Sequence, residues 1–150
     1  MHGSCLCGAV EFEILGPPPK LYQCHCSLCR KQGGSASNTA TIVSAESLRW
    51  LAGKELITSW VKESGFRSAF CSRCGSPVPN PLREKPYYWV PVGLLDEGEE
   101  SMEIALHLFV ESRAPWDRLA STGTQFETAP GLAEVIALLH GKGSGSTSKG

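Results

Sequence analysis

Cys24-His25-Cys26-Ser27-Leu28-Cys29-Arg30 places three thiols within six residues, in a Cys-x-Cys-x-x-Cys pattern. Core packing has no use for such a pattern, because a buried cysteine is simply a small apolar residue and needs no partner of its own kind. A soft divalent metal does have a use for it, since thiolates bind zinc well and a tetrahedral ion wants its ligands close together. Three ligands leave one tetrahedral position open. The expectation is a zinc site that an exogenous ligand can enter.

Two further motifs carry the other four cysteines: Cys5-Leu6-Cys7-Gly8 and Cys71-Ser72-Arg73-Cys74-Gly75. Seven cysteines in 150 residues is an odd count that suits metal binding in a reducing compartment better than a disulfide framework. Spacing alone permits two partitions. A zinc ribbon would join Cys26 and Cys29 to Cys71 and Cys74, leaving Cys5, Cys7 and Cys24 unexplained. Its intervening loop of 41 residues is far longer than the usual ribbon spacing of about 15–20. The other partition closes Cys5, Cys7, Cys71 and Cys74 into a four-thiolate site and leaves Cys24, Cys26 and Cys29 as an open one. It uses every cysteine once, and parsimony favours it.

The remaining chain reads as short strands. Val10, Phe12 and Ile14 alternate with acidic residues, as a half-buried strand does, and Gly16-Pro17-Pro18-Pro19 stops the run. Leu21-Tyr22-Gln23 reads as a strand that delivers Cys24. Arg30 to Gly34 suggests one helical turn ended by glycine, and 37–43 another strand. Leu48–Leu51 and Leu56–Val61 around Ala52-Gly53-Lys54 suggest a hairpin. Phe66–Phe70 alternates and runs into Cys71, where Gly75 lets the chain turn so that backbone amides face the sulfurs. Pro77, Pro79 and Pro81 argue against a central strand there. Tyr87–Val92 and Ile104–Val110 are the last strands, with a surface loop of acidic end, 93–100, between them. Only Gly131–Leu139 has helix composition. Residues 1–140 are expected to form one all-β domain with a short C-terminal helix, and 141–150 a flexible Gly/Ser-rich tail.

A formal net charge of -1 offers no overall basic footprint for nucleic acid or an anionic membrane. The longest apolar runs, such as 135–139, fall far short of a membrane span, and Met1-His2-Gly3-Ser4-Cys5 lacks the apolar stretch of a secretory signal. A soluble cytoplasmic protein is expected.

The residues also carry a family resemblance. Gly3-Ser4-Cys5-Leu6-Cys7-Gly8-Ala9-Val10-Glu11-Phe12-Glu13, Cys24-His25-Cys26-Ser27-Leu28-Cys29-Arg30-Lys31 and Phe70-Cys71-Ser72-Arg73-Cys74-Gly75 resemble, in order, three signatures of the glutathione-dependent formaldehyde-activating family. That family is also called the GFA or centromere-protein-V domain. Gly93-Leu94-Leu95-Asp96, His107-Leu108-Phe109-Val110 and Ala114-Pro115-Trp116 resemble later family segments. The resemblance implies a β-tent fold of short coiled antiparallel sheets. It implies two zinc ions: a structural one on Cys5, Cys7, Cys71 and Cys74, and an accessible one on Cys24, Cys26 and Cys29. It implies addition of glutathione sulfur to formaldehyde, giving S-hydroxymethylglutathione, formally a carbon–sulfur lyase reaction in reverse.

Strong sulfur donation makes a three-thiolate zinc a weak Lewis acid, better suited to holding an incoming thiol as thiolate than to activating water. Cys24, Cys26 and Cys29 are therefore the expected catalytic set, with glutathione or another small thiol and formaldehyde or another aldehyde as partners. The alternative is a carrier module that binds the thiol without speeding the chemistry. Arg30 and Lys31 either offset the negative charge of the site or attract glutathione carboxylates, and otherwise are solvated surface charges. Arg67 is a weaker candidate of the same kind, since strand alternation alone explains it. His25 is expected to turn away from the metal. His107, in an apolar strand, is either a hydrogen-bonded core histidine or a part of the substrate pocket. Trp116, Trp89 and Tyr88 read as core or pocket wall. A chromatin-associated role, suggested by the centromere-protein branch, lacks the basic surface it needs.

Overall fold

The computed structural model describes residues 1–118 and 123–141. Apart from Gly141, the expected tail lies outside the described residues. In chain order the elements are β1 (His2–Ser4), β2 (Glu11–Ile14), β3 (Leu21–Cys24), α1 (Ser27–Gly33), β4 (Asn38–Ser44), β5 (Leu48–Ala52), β6 (Ile57–Val61) and β7 (Arg67–Cys71). They continue with β8 (Asn80–Pro81), β9 (Tyr87–Pro91), β10 (Ile104–Leu108), β11 (Thr124–Gln125) and α2 (Leu132–His140). The protein is mostly β, with a short C-terminal helix.

The strands form three sheets: β1-β2-β5, the six-stranded β11-β10-β3-β4-β9-β8, and the hairpin β6-β7. In β2 the alternation works as the sequence implies: Phe12 and Ile14 are buried while Glu11 and Glu13 face outward. In β4, by contrast, Ala40, Thr41, Ile42 and Val43 are all buried, as in a strand covered on both faces. Ala40 and Ile42 join a core with Tyr22, Leu106, Val135 and Leu139, whereas Val43 joins Phe12, Ile14, Leu48, Val90 and Leu95. One strand thus supplies two cores. Val135 and Leu139 lie one helical turn apart and form the buried stripe of α2, which explains why that segment alone has helical periodicity.

Most pairings are antiparallel. The exception is β10, which is parallel to both β3 and β11. The register with β3 sets Leu108 against Cys24 and His107 against Gln23, so a segment late in the chain lies beside the first thiol of the central motif.

The expected hairpin of Leu48–Leu51 and Leu56–Val61 does not form. β5 pairs with β2, and β6 pairs with β7. Between them Gly53 adopts φ +73°, and a 3-10 turn at Lys54–Leu56 redirects the chain. At Gly53 the backbone passes so close to the first strand layer that a Cβ would lie 2.0 Å from the Ala9 carbonyl oxygen. The glycine marks a crossing between sheets rather than a tight turn. The prolines after Cys74 behave as expected, leaving only the two-residue edge strand β8.

Replacing Gly53 with alanine combines a left-handed backbone with a collision against backbone. Denaturant unfolding of Gly53→Ala is expected to show a loss of at least about 2 kcal/mol at unchanged slope. A loss below about 0.5 kcal/mol would show that the crossing is not tight.

Candidate metal centre

Cys5 and Cys7 lie in the turn after β1, and Cys71 and Cys74 at the end of β7 and in the turn beyond it. Their four Sγ atoms lie within 4.8 Å of one another. Cys5 Sγ and Cys7 Sγ are 3.6 Å apart, and Cys7 Sγ and Cys71 Sγ 3.9 Å. Disulfide sulfurs stand at about 2.05 Å, whereas four sulfurs at about 2.3 Å from a tetrahedral zinc-sized ion are about 3.8 Å apart. The separations fit a thiolate-bound metal ion and do not fit disulfides.

The two halves of this cluster are built alike. The Cys5 N–H donates to Val10 O and the Cys71 N–H to Ser76 O, while Gly8 N–H returns to Cys5 O and Gly75 N–H to Cys71 O. Gly8 and Gly75 both adopt φ +77°, the left-handed step that turns each chain end around its sulfurs. The Val10 N–H donates to Cys5 Sγ at 3.3 Å. Ser76 accepts from the Leu6 N–H and stands 3.4 Å from Cys74 Sγ. The Ser76 hydroxyl lowers the Cys74 thiol to about 6, with help from the Ser76 backbone.

The second cluster joins Cys24, at the end of β3, to Cys26 and Cys29, again with all Sγ atoms within 4.8 Å. The ribbon-like grouping of Cys26 and Cys29 with Cys71 and Cys74 is absent, and the grouping by parsimony is the one formed. Cys26 is the N-cap of α1, and its Sγ accepts the Cys29 N–H at 3.4 Å. Gly34, at φ +61°, ends the helix by donating to Arg30 O. Hydrogen bonds from Cys24, then Cys29, with the amides of Cys29 and Leu28, hold the Cys26 thiol well below its ordinary value. The same contact with Cys26 pushes Cys24 up to about 11, and Cys29 is driven up by Cys24 and Cys26. Three sulfurs this close share their charge unequally by themselves, and a divalent cation between them removes the need to do so.

His25, between two cysteines of this cluster, is buried and turned the other way. Its Nε2 lies 3.1 Å from His107 Nδ1, the rings stack at 5.3 Å, and its Nδ1 stands 3.6 Å from Asp117 Oδ2. Burial, followed by repulsion from His107, lowers the His25 pKa, which favours the neutral ring. His107 is itself fully buried. The pair packs behind the cysteines and fastens the end of β3 to β10, while Asp117 ties it to the chain that follows β10.

A cavity of about 200 Å³ opens beside Cys24 and Cys29. Tyr22, Phe66, Leu82, Trp89 and Leu108 give it apolar walls, and Gln32, Asn80, Arg67 and Arg83 its polar ones. Arg30 and Lys31 belong to α1 but not to this lining, and neither does His107. Sequence reasoning rated Arg67 a weak candidate, because strand alternation explains it equally well. It missed Arg83 altogether, in a turn after a proline-rich run with no motif. Trp89 is pocket wall as expected, and Tyr88 packs edge-on against Trp50. Trp116 is 70 % exposed and belongs to neither core nor wall, since the turn carrying it runs over the surface.

This geometry defines a mostly β protein with two cysteine clusters able to hold metal ions, one closed and one beside a cavity. Residues 1–112 match the family described as "Glutathione-dependent formaldehyde-activating enzyme", or GFA, and the chain belongs to that family. A Halomonas elongata protein named "Putative glutathione-dependent formaldehyde-activating enzyme" is 28% identical over 132 residues, covering 81% of this chain and 82% of its own length. A crystal structure of a Rhodobacter sphaeroides protein superposes with a TM-score of 0.55 at 30% identity, covering 69% of this chain and 97% of that one. Among the described residues no helix is long and apolar enough to cross a membrane.

Thiols must lose their protons to bind a metal, so metal affinity falls as pH falls. Each cluster contains one thiol pushed up to about 11, Cys24 in the one and Cys7 in the other, so ligand number decides the order. Three sulfurs hold an ion less firmly than four, and protons reclaim the three-cysteine cluster first. On acidification from about pH 8 to about pH 5 the loaded protein should release metal in two steps. Cys24→Ser should lack the first step. A single step shared by both proteins would contradict the separation of the two clusters.

Proposed function

We propose that the chain is a zinc-dependent carbon–sulfur lyase-type protein that binds glutathione, or another small thiol, at Cys24, Cys26 and Cys29. There it forms or breaks an S-hydroxymethyl adduct with formaldehyde or a related aldehyde. The observation that carries this reading is a three-sulfur cluster, one ligand short of a tetrahedron, with two of its cysteines on the wall of a solvent-accessible cavity. Family membership and the printed name of the Halomonas elongata relative support glutathione and formaldehyde as the substrates.

A zinc ion held by Cys24, Cys26 and Cys29 would bind a fourth sulfur in its thiolate form, and hence keep it nucleophilic, at neutral pH. The cysteines hold that ion, and α1 orients two of them through its first turn. Apolar walls at Phe66, Trp89 and Leu108 shield the sulfur from water, which favours attack on an aldehyde carbon over solvation of the thiolate. Sulfur and carbon form the new bond, the carbonyl oxygen takes up the proton that the thiol released, and the reverse reaction runs through the same groups. Arg30 and Lys31, adjoining Cys29 in sequence, act through their charge, lowering the cost of gathering three thiolates. His107 acts through His25, holding β3 and its Cys24 in place. The closed four-cysteine site carries a second, structural zinc. Seven cysteines free of disulfides favour a reducing cytoplasmic setting.

Exchange spectroscopy of formaldehyde with glutathione tests the reading. Zinc-loaded protein should speed the exchange at least about tenfold over the Cys24→Ser variant at equal concentration. Equal rates, alongside tight glutathione binding, would replace the enzyme with a carrier.

A further inference from the structure

The wall of the cysteine cavity has a polarity that the three sulfurs do not explain. Arg67 opens β7, facing Val61 across the hairpin, and Arg83 sits in the turn between β8 and β9. Both line the inner cavity, where no aspartate or glutamate joins them. Both also line a second, outer cavity of about 560 Å³, which shares Gly65 with the inner one and adds Lys85 and Glu84. The path from Cys24 and Cys29 to solvent therefore runs from sulfur, past apolar side chains, to a mouth of net positive charge. Among the described residues neither arginine has a carboxylate partner.

Arg83 is also held in an unusual way. Its backbone lies at φ +52°, a left-handed conformation uncommon outside glycine. Its Nη2 donates to Ser64 O at 3.1 Å, and its guanidinium lies so close to Gly65 that a Cβ there would come within 3.2 Å of Nε. Gly65 is itself left-handed, at φ +88°. The turn before β7 and the turn after β8 thus meet at the mouth and fix one face of the guanidinium. Backbone strain of this kind is retained where the surrounding structure holds a side chain in a set position. One donor of the fork is spent on Ser64, and the others remain for an anion.

We propose that Arg67 and Arg83 form a carboxylate-binding subsite at the mouth of the cysteine cavity. It selects small thiols that carry an anionic group at the end away from the sulfur. The proposal rests on the reading of the three-cysteine cluster as a thiol site. It specifies which thiols enter, by the same logic that favours planar arginine forks for carboxylates.

Calorimetry on the full-length, zinc-loaded protein tests it with three ligands: glutathione, its diethyl ester and S-methylglutathione. The first keeps both sulfur and carboxylates, the second removes the carboxylate charges, and the third blocks the sulfur. Glutathione should bind at least about tenfold more tightly than the ester. Arg67→Gln and Arg83→Gln should each weaken glutathione by about tenfold while changing the ester by less than about twofold. Arg67→Lys, which retains charge at a strand end, serves if the glutamine variant fails to fold, and should fall between wild type and Arg83→Gln. Equal affinity for glutathione and ester, both tighter than S-methylglutathione, would overturn the subsite and leave the thiol reading intact. Equal, arginine-dependent affinity for glutathione and S-methylglutathione would support the subsite and overturn the thiol reading. Loss of ester and glutathione binding together in the arginine variants, or no binding of any of the three ligands, would overturn the proposal.

Discussion

Sulfur atoms held within 4.8 Å of one another cannot all carry charge unless a cation stands between them, and this chain imposes that condition twice. At the first cluster the constraint is architectural. Cys5 and Cys7 leave one sheet, Cys71 and Cys74 leave another, and the core beneath them is small: Val10, Ala69 and Val78 besides the cysteines, with Trp50, Leu56, Ile57 and Leu94 packed against it only partly buried. A core that small supplies little stabilisation by itself. The hairpin β6-β7 exposes most of β6, so its attachment depends heavily on the four sulfurs. At the second cluster the constraint is chemical: three sulfurs leave a position that four would close.

The two clusters differ in what surrounds them. The first is surrounded by groups from its own two turns: the Val10 amide on Cys5 Sγ, the Ser76 hydroxyl beside Cys74 Sγ, and the left-handed Gly8 and Gly75, which bend the backbone around the sulfurs. The second borrows its surroundings from distant sequence. Parallel pairing of β3 with β10 brings His107 beside His25, 82 residues away in sequence, and the turn after β8 brings Arg83 to the cavity. The closed site is a local motif built twice, and the open site is a product of the whole fold.

That difference explains how much the sequence revealed. The cysteine motifs, the strands around Phe12 and Phe70, the glycine stop after α1 and the late helix were legible, because each rests on spacing within a few residues. Joining Cys5 and Cys7 to Cys71 and Cys74 rested instead on using every cysteine once. The hairpin between β5 and β6 was misread because two strands flanking a glycine look the same whether they pair or part. The contact of Gly53 with Ala9, which decides the matter, lies 44 residues back in the chain. The parallel placement of β10, the histidine pair and Arg83 left no local periodicity to read. β1, β8 and β11 have three, two and two residues, too few for alternation to register.

The central claim is that the two clusters hold one closed and one open zinc. Zinc X-ray absorption spectroscopy on protein loaded with two equivalents measures this most directly, by counting the sulfur neighbours of the metal. One four-sulfur and one three-sulfur site give an average of about 3.5 sulfurs per zinc, rising to about 4 when glutathione is added. An average of about 4 before any thiol is added, or a count that does not change on adding glutathione, would contradict it.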